Sequence, residues 1–150
     1  MLLQTRKMSN KGVFYMIYNQ WVKFNIYSEF CNIQIKHVIL KLGKFHEDGN
    51  RDKETSKIDI DNMIIREAST GVICACGIED GEGVIEGYFE IYDADNNRVI
   101  TEIYWECPNH KRENSFIITE PPKDYVICEH GANLYKGPLG NVSIKITKLK

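Results

Sequence analysis

The chain has 150 residues, 43% of them hydrophobic and 27% charged, which suits one soluble domain with a genuine hydrophobic core. A net charge of −2 and a pI near 6.1 give no global electrostatic case for nucleic acid, so any anion-binding surface must be a local patch. No apolar run approaches the ~20 residues that a membrane-spanning helix needs.

Residues 1–11 carry Arg6, Lys7 and Lys11 ahead of the apolar run Val13 to Tyr18. That imitates a secretory signal only weakly, because tyrosines interrupt the run and Asn19-Gln20 offers no small-residue cleavage site. The reading is a soluble protein made in the cytoplasm without a signal peptide. The five cysteines (Cys31, Cys74, Cys76, Cys107 and Cys128) are odd in number and irregularly spaced, so free and mostly buried thiols are expected.

Alternation by two places a half-buried strand over Trp21–Tyr27, with Val22, Phe24 and Ile26 on one face and Trp21, Lys23, Asn25 and Tyr27 on the other. Ile33–Leu40 is a second strand whose pattern shifts at His37-Val38, as a bulge would make it. The polar stretch Gly43–Asn62 has no period and reads as a long surface loop, with room for a short strand near Ile58–Ile60. Short strands follow at Met63–Arg66 and Val72–Cys76, then the glycine-rich acidic loop Gly77–Gly83. Strands Val84–Tyr92 and Arg98–Cys107 flank a turn at 93–97; Phe116–Thr119, Tyr125–Cys128 and Val142–Ile146 complete the set. No stretch sustains a helical period. Many short strands with Gly, Pro and Asn turns predict an all-β, antiparallel sandwich or barrel in a single domain.

Pro108 lacks an amide hydrogen and must end the strand that carries Tyr104 and Trp105. Rings at a strand end beside Lys111-Arg112 suit a lipid headgroup layer; the alternative is a core Trp105 above a solvated turn. Enzymatic chemistry finds no constellation. Asp93, Asp95 and Asn97 open like a calcium loop, but Arg98 stands where glycine is needed and Tyr104 where glutamate is needed. Cys74, Cys76, Cys107 and His110 lack paired knuckle spacing for zinc. Gly77–Gly83 has neither the lysine nor the helix of a phosphate loop. Neither a cofactor nor a metal is implied.

The ordered pieces Gln20-Trp21-Val22, Gly43-Lys44-Phe45-His46-Glu47-Asp48-Gly49, Ala75-Cys76-Gly77, Glu82-Gly83, Gly87-Tyr88-Phe89, Tyr104-Trp105-Glu106-Cys107-Pro108, Asn114 and Gly137-Pro138-Leu139-Gly140 resemble the aegerolysin family over about Gln20 to Lys150. The resemblance implies an antiparallel β-sandwich over 20–150 and a non-enzymatic function. It implies a partner lipid, a membrane sphingolipid with or without sterol, and a protein partner of the membrane attack complex/perforin type in a two-component pore former. The protein would then act at target membranes after release. Carried over residue by residue, it assigns lipid contact to Arg112, with Lys111 beside it, and lipid selection to Glu82. Trp21 and Trp105 match motif tryptophans, with lipid contact or packing as their role. Asn109 and Leu42 stand where relatives carry tryptophan, which favours the alternative of a protein-interaction or developmental protein of the same fold. Cys76 and Cys107 match the family's two characteristic cysteines. Residues 1–19 fall outside the pattern; Met16 is the expected natural start, with residues 1–15 an extension or a misassigned start, poorly ordered or loosely packed.

Overall fold

The computed structural model describes residues 5–8, 14–17, 20–78, 83–109 and 111–150. Two short strands, β1 (Thr5–Met8) and β2 (Phe14–Ile17), pair with each other in a two-stranded sheet of their own. The body is formed by two larger sheets. In chain order its strands are β3 (Trp21–Glu29), β4 (Ile33–Leu42), β5 (Lys44–Glu47), β6 (Asn50–Glu54), β7 (Ile64–Ile65), β8 (Ser69–Cys76), β9 (Ile85–Asp93), β10 (Arg98–Cys107), β11 (Ser115–Ile118), β12 (Tyr125–His130) and β13 (Gly140–Lys148). One sheet has the order β11-β10-β9-β4-β7 and the other β12-β13-β3-β8-β5-β6. The predicted sandwich is therefore the fold, antiparallel throughout except that β13 lies parallel to β3.

Burial follows the period of two. On β3, Val22, Phe24 and Ile26 are buried while Trp21, Lys23, Asn25 and Tyr27 are half-buried on the outer face. These side chains, with Ile73 and Ala75 of β8 and Val142, Ile144 and Ile146 of β13, meet Ile33, Ile35, Ile85, Phe89, Ile91, Ile103 and Trp105 from the other sheet. The bulge expected at His37 is present. The β4–β9 register shifts between Lys36 and Ile39, and His37 takes a φ of 54°.

The stretch 43–62 differs from the expected loop. Lys44–Glu47 and Asn50–Glu54 form a hairpin that turns at Asp48-Gly49 and pairs with the edge of β8. A single helical turn, α1 (Lys57–Ile60), follows; Ser56 caps it by accepting from the Ile58 amide. Being at a sheet edge, the hairpin buries Phe45 and His46 but exposes nearly everything else, so its sequence carries no period. The expected short strand at Ile58–Ile60 is this helical turn.

An aromatic cluster joins the sheets. The Trp105 ring stands edge-on to Phe24 at a centroid distance of 4.9 Å and to Phe89 at 5.6 Å. Its indole lies across Gly87, its register partner on β9; a Cβ there would come within 2.3 Å of the ring. Only glycine leaves the space. A second tie is polar and lies at the far end of β9. The carboxylate of Asp93 accepts from the Tyr125 hydroxyl at 2.6 Å, the Lys148 ammonium at 3.0 Å and the Asp95 amide at 3.0 Å, linking β9 to β12 and β13 of the other sheet. Burial opposes its ionisation, yet the bonds from Tyr125 and Lys148 outweigh that and hold its pKa below the usual carboxylate range.

Gly87→Ala should therefore destabilise the fold by about 1–3 kcal/mol, read by chemical denaturation, because the added methyl must displace Trp105. The depressed pKa of Asp93 gives the second expectation its sign. Its contribution is present above the unfolded value near pH 4 and is lost as pH falls through the folded value. Between about pH 5 and pH 2 the wild type should lose stability more steeply than Asp93→Asn, which starts lower at neutral pH.

Candidate functional site

One end of the sandwich collects the loops that the sequence singled out. There β4 ends at Leu42, β8 at Cys76, β10 at Cys107 and β12 at His130, while β3, β9, β11 and β13 begin at Trp21, Ile85, Ser115 and Gly140. Gln20, 1% exposed, holds three of these segments together. Its side-chain amide donates to the Pro108 carbonyl at 2.6 Å, and its main-chain carbonyl accepts from the Gly77 amide at 3.0 Å. Pro108 ends β10 for lack of a donor, and its carbonyl becomes the acceptor of this clasp. Gly77 lies so close to Gly83 that a Cβ would meet the Gly83 backbone at 2.5 Å, which pinches shut the neck of the loop between them.

Beside the clasp is a cavity of about 170 Å³ lined by Leu42, Val84, Ile85, Glu106, Cys107, Pro108, Asn109 and Arg112. Three of the predicted site residues, Leu42, Asn109 and Arg112, thus meet in one place. Asn109 has a conformational part in this. Its side-chain oxygen accepts from the Lys111 amide at 3.0 Å and its carbonyl from the Arg112 amide at 3.0 Å, so the turn carrying both cations folds back on it. Lys111 and Arg112 are exposed.

The tryptophans separate from this cavity. Trp105 is completely buried, so of the two roles open to it, packing or lipid contact, the indole takes packing in the aromatic core. Trp21 is half-buried on the outer face of the six-stranded sheet, packed on Cys76, with the Arg51 guanidinium 5.7 Å from its ring centre. Glu82 and His110 lie outside the described residues.

Cys76 and Cys107 are fully buried free thiols on different sheets. Burial raises their pKa to about 11 and about 12 respectively, and burial also raises Cys74 to about 11. Among the described residues no group of three or more His, Cys, Asp or Glu could hold a metal ion.

Sequence reasoning missed two contributors. Glu106, half-buried at the end of β10, lines the same cavity as Arg112. The loop 131–139 presents Leu134 and Tyr135 at this end, 51% and 76% exposed. A pair of large apolar residues between Gly131 and Pro138 was the available signal for the second.

The Gln20 clasp joins three motifs far apart in the chain, and a family model described as Aegerolysin matches residues 19–149. The chain belongs to the aegerolysin family. It is 30% identical over 135 residues to ostreolysin A6 of Pleurotus ostreatus, covering 89% of this chain and 98% of that protein. To Asp-hemolysin of Aspergillus fumigatus it is 27% identical over 131 residues, covering 86% and 93%. Among solved structures, IP-1A from Alcaligenes faecalis superposes with a TM-score of 0.82 at 32% identity, over 89% of this chain and 94% of that one. RahU, solved with a TRIS molecule, shares the fold with a TM-score of 0.81 at 24% identity, over 89% and 98%. The aegerolysin end of this chain is thus a set of loops held by buried side chains around a small mixed-charge cavity.

The thiols supply a direct check. At pH 8 a thiol reagent should modify the exposed Cys128 rapidly in the native protein and the four buried cysteines only after denaturation, as read by mass spectrometry.

Proposed function

We propose that the loop end of the sandwich recognises zwitterionic lipid headgroups, and that the protein is a non-enzymatic, cytolysin-type lipid binder. The observation that carries this is the cavity in which Arg112 and Glu106 stand together beside the apolar Leu42. A guanidinium can grip a phosphate through paired hydrogen bonds, and a carboxylate can face the headgroup's ammonium. Leu42 is 43% exposed and Ile78 45% exposed, so apolar surface borders the charged groups, as a bilayer interface demands. The names hemolysin and lysin among the relatives support the same reading. Sphingolipids, with or without sterol, are the proposed ligands. A perforin-type protein is the proposed partner, with this chain as the docking component. Among the described residues no helix is long and apolar enough to cross a membrane, so insertion through a helix of its own has no support.

A second reading has its own observation. The outer face of the five-stranded sheet carries a ladder in which the Tyr88 hydroxyl shares its one proton between Glu102 at 2.6 Å and Glu90 at 2.8 Å, and Tyr104 donates to Glu86 at 2.7 Å. An aromatic, acidic face suits a basic protein surface. With Asn109 and Leu42 in place of tryptophan, it favours a protein-interaction or developmental role without strong lipid binding.

Co-sedimentation with vesicles of sphingomyelin/cholesterol, of ceramide phosphoethanolamine, and of phosphatidylcholine alone separates the two. Selective pelleting with one sphingolipid is expected. Replacing Lys111 and Arg112 together by alanine should weaken it by about tenfold or more, since a hydrogen bond to a charged group contributes about 1.5–3 kcal/mol. Pelleting with none of the vesicles would favour the protein-interaction reading; unchanged binding by the double variant would remove that loop from the site.

A further inference from the structure

The loop between β12 and β13 departs from what an ordinary surface loop requires. Asn133 braces it from within: its side-chain nitrogen donates to the carbonyls of Lys136 and Pro138, both at 3.0 Å, and its oxygen accepts from the Tyr135 amide at 3.0 Å. Its main-chain amide reaches the Leu139 carbonyl at 2.9 Å, and the Leu139 side chain is fully buried. Asn114, itself 7% exposed, braces it from the neighbouring loop. Its side-chain nitrogen donates to Asn133 at 2.9 Å and Gly137 at 2.8 Å, and its amide donates to the Tyr135 carbonyl at 3.0 Å. Positive φ at Gly131 and Gly137 completes the bends.

All this bracing serves an apex whose side chains are left outside. Among the described residues, only Ile58 is a more exposed large apolar side chain than Tyr135. Leu134 precedes Tyr135, and the exposed Lys136 follows it. Fixing an aromatic ring in water gains nothing for the fold. It does prepay the conformational entropy of placing that ring against a partner.

We infer that Leu134 and Tyr135 form a rigid anchor that inserts into the interfacial layer of a lipid bilayer beside the Arg112 cavity. The inference rests on the lipid-binding reading above and adds residues to it. The occupant follows from chemistry at the apex. A leucine enters the acyl boundary, and a tyrosine sits at headgroup depth with its hydroxyl in water. The exposed Lys136 adds a cation for phosphate to those of Lys111 and Arg112. Asn114, two residues after Arg112, bonds the apex loop through both its amide and its side chain, so the apex and the cationic turn are neighbours at this end. The anchor supplies apolar insertion at an end where Asn109 and Leu42 do not carry tryptophan rings.

The test uses the full chain and the sphingomyelin/cholesterol, ceramide phosphoethanolamine and phosphatidylcholine vesicles. The double variant Leu134→Ser/Tyr135→Ser should keep the wild-type melting temperature, because both side chains are exposed. On the vesicles that retain the wild type it should bind about tenfold more weakly or worse. A second variant, Tyr135→Trp, should show an emission blue shift and quenching by brominated phosphatidylcholine in those vesicles, beyond any seen for the wild type. If the wild type binds no vesicle, the lipid reading and the anchor fall together. If the wild type binds but the serine variant matches it within about twofold and the new tryptophan stays unquenched, only the anchor is overturned. Unchanged vesicle binding with lost self-association on sedimentation would assign the apex to a second copy of the chain instead, and would equally overturn it.

Discussion

The contact between the Trp105 indole and the bare backbone of Gly87 governs this molecule. Ile85, Phe89 and Ile91 fill the neighbouring inward positions of β9, and one absent side chain lets the largest ring in the core lie across that strand. With the ring seated against Phe24 and Phe89, the end of β10 has no freedom to shift in register. Cys107 and Pro108 follow two and three residues later, and Gln20 captures the carbonyl that Pro108 leaves. The position of Arg112 is therefore set from the core outward, by packing first and hydrogen bonding second.

The two ends of the sandwich are built on opposite principles. At one, the Asp93 carboxylate gathers a phenol, an ammonium and an amide, and it joins two sheets with charge satisfied inside the protein. At the other, the buried side-chain amides of Gln20 and Asn114 and the half-buried one of Asn133 hold the backbone, while cationic and apolar side chains are exposed to solvent. The first end closes the fold. The second holds its loops in shape without neutralising what they carry, which is the condition for meeting a ligand with little reorganisation.

Much of this could be read in the sequence because the physics that sets strands is local. Alternation in Trp21–Tyr27 and Val142–Ile146 reports one buried face each, and the His37 shift reports a bulge. Pairing partners are not local. β3 and β13 have the same alternation whether parallel or antiparallel, so nothing in either strand announces that they run together. The β5–β6 hairpin escaped notice because an edge ribbon needs few buried residues. Within the site, Leu42, Asn109 and Arg112 were found through family resemblance, and only the fold brings them to one cavity. Glu106 lies inside a matched motif but was assigned no role, because a half-buried carboxylate at a strand end looks like any solvated one. Trp105 went the other way: two roles were open to it, and Gly87 decides for the core.

The parallel pairing of β3 with β13 bears on how the protein comes into being on the ribosome. β13 lies between β12 and β3 in the interior of its sheet, and its first residue pairs with Val22. Until residues 140–148 have emerged, β3 keeps one unpaired edge, Phe24 and Ile26 lack the cover of Val142, Ile144 and Ile146, and Asp93 lacks Lys148. The nascent chain must therefore hold most of its strands in an unfinished state while translation proceeds, as folds dominated by distant contacts do. The loop end is completed only after residues 131–139 and the strand that fixes them have been made, later than every other strand of the two sheets. A chain of this design shapes its loop end only when β13 joins the sheet.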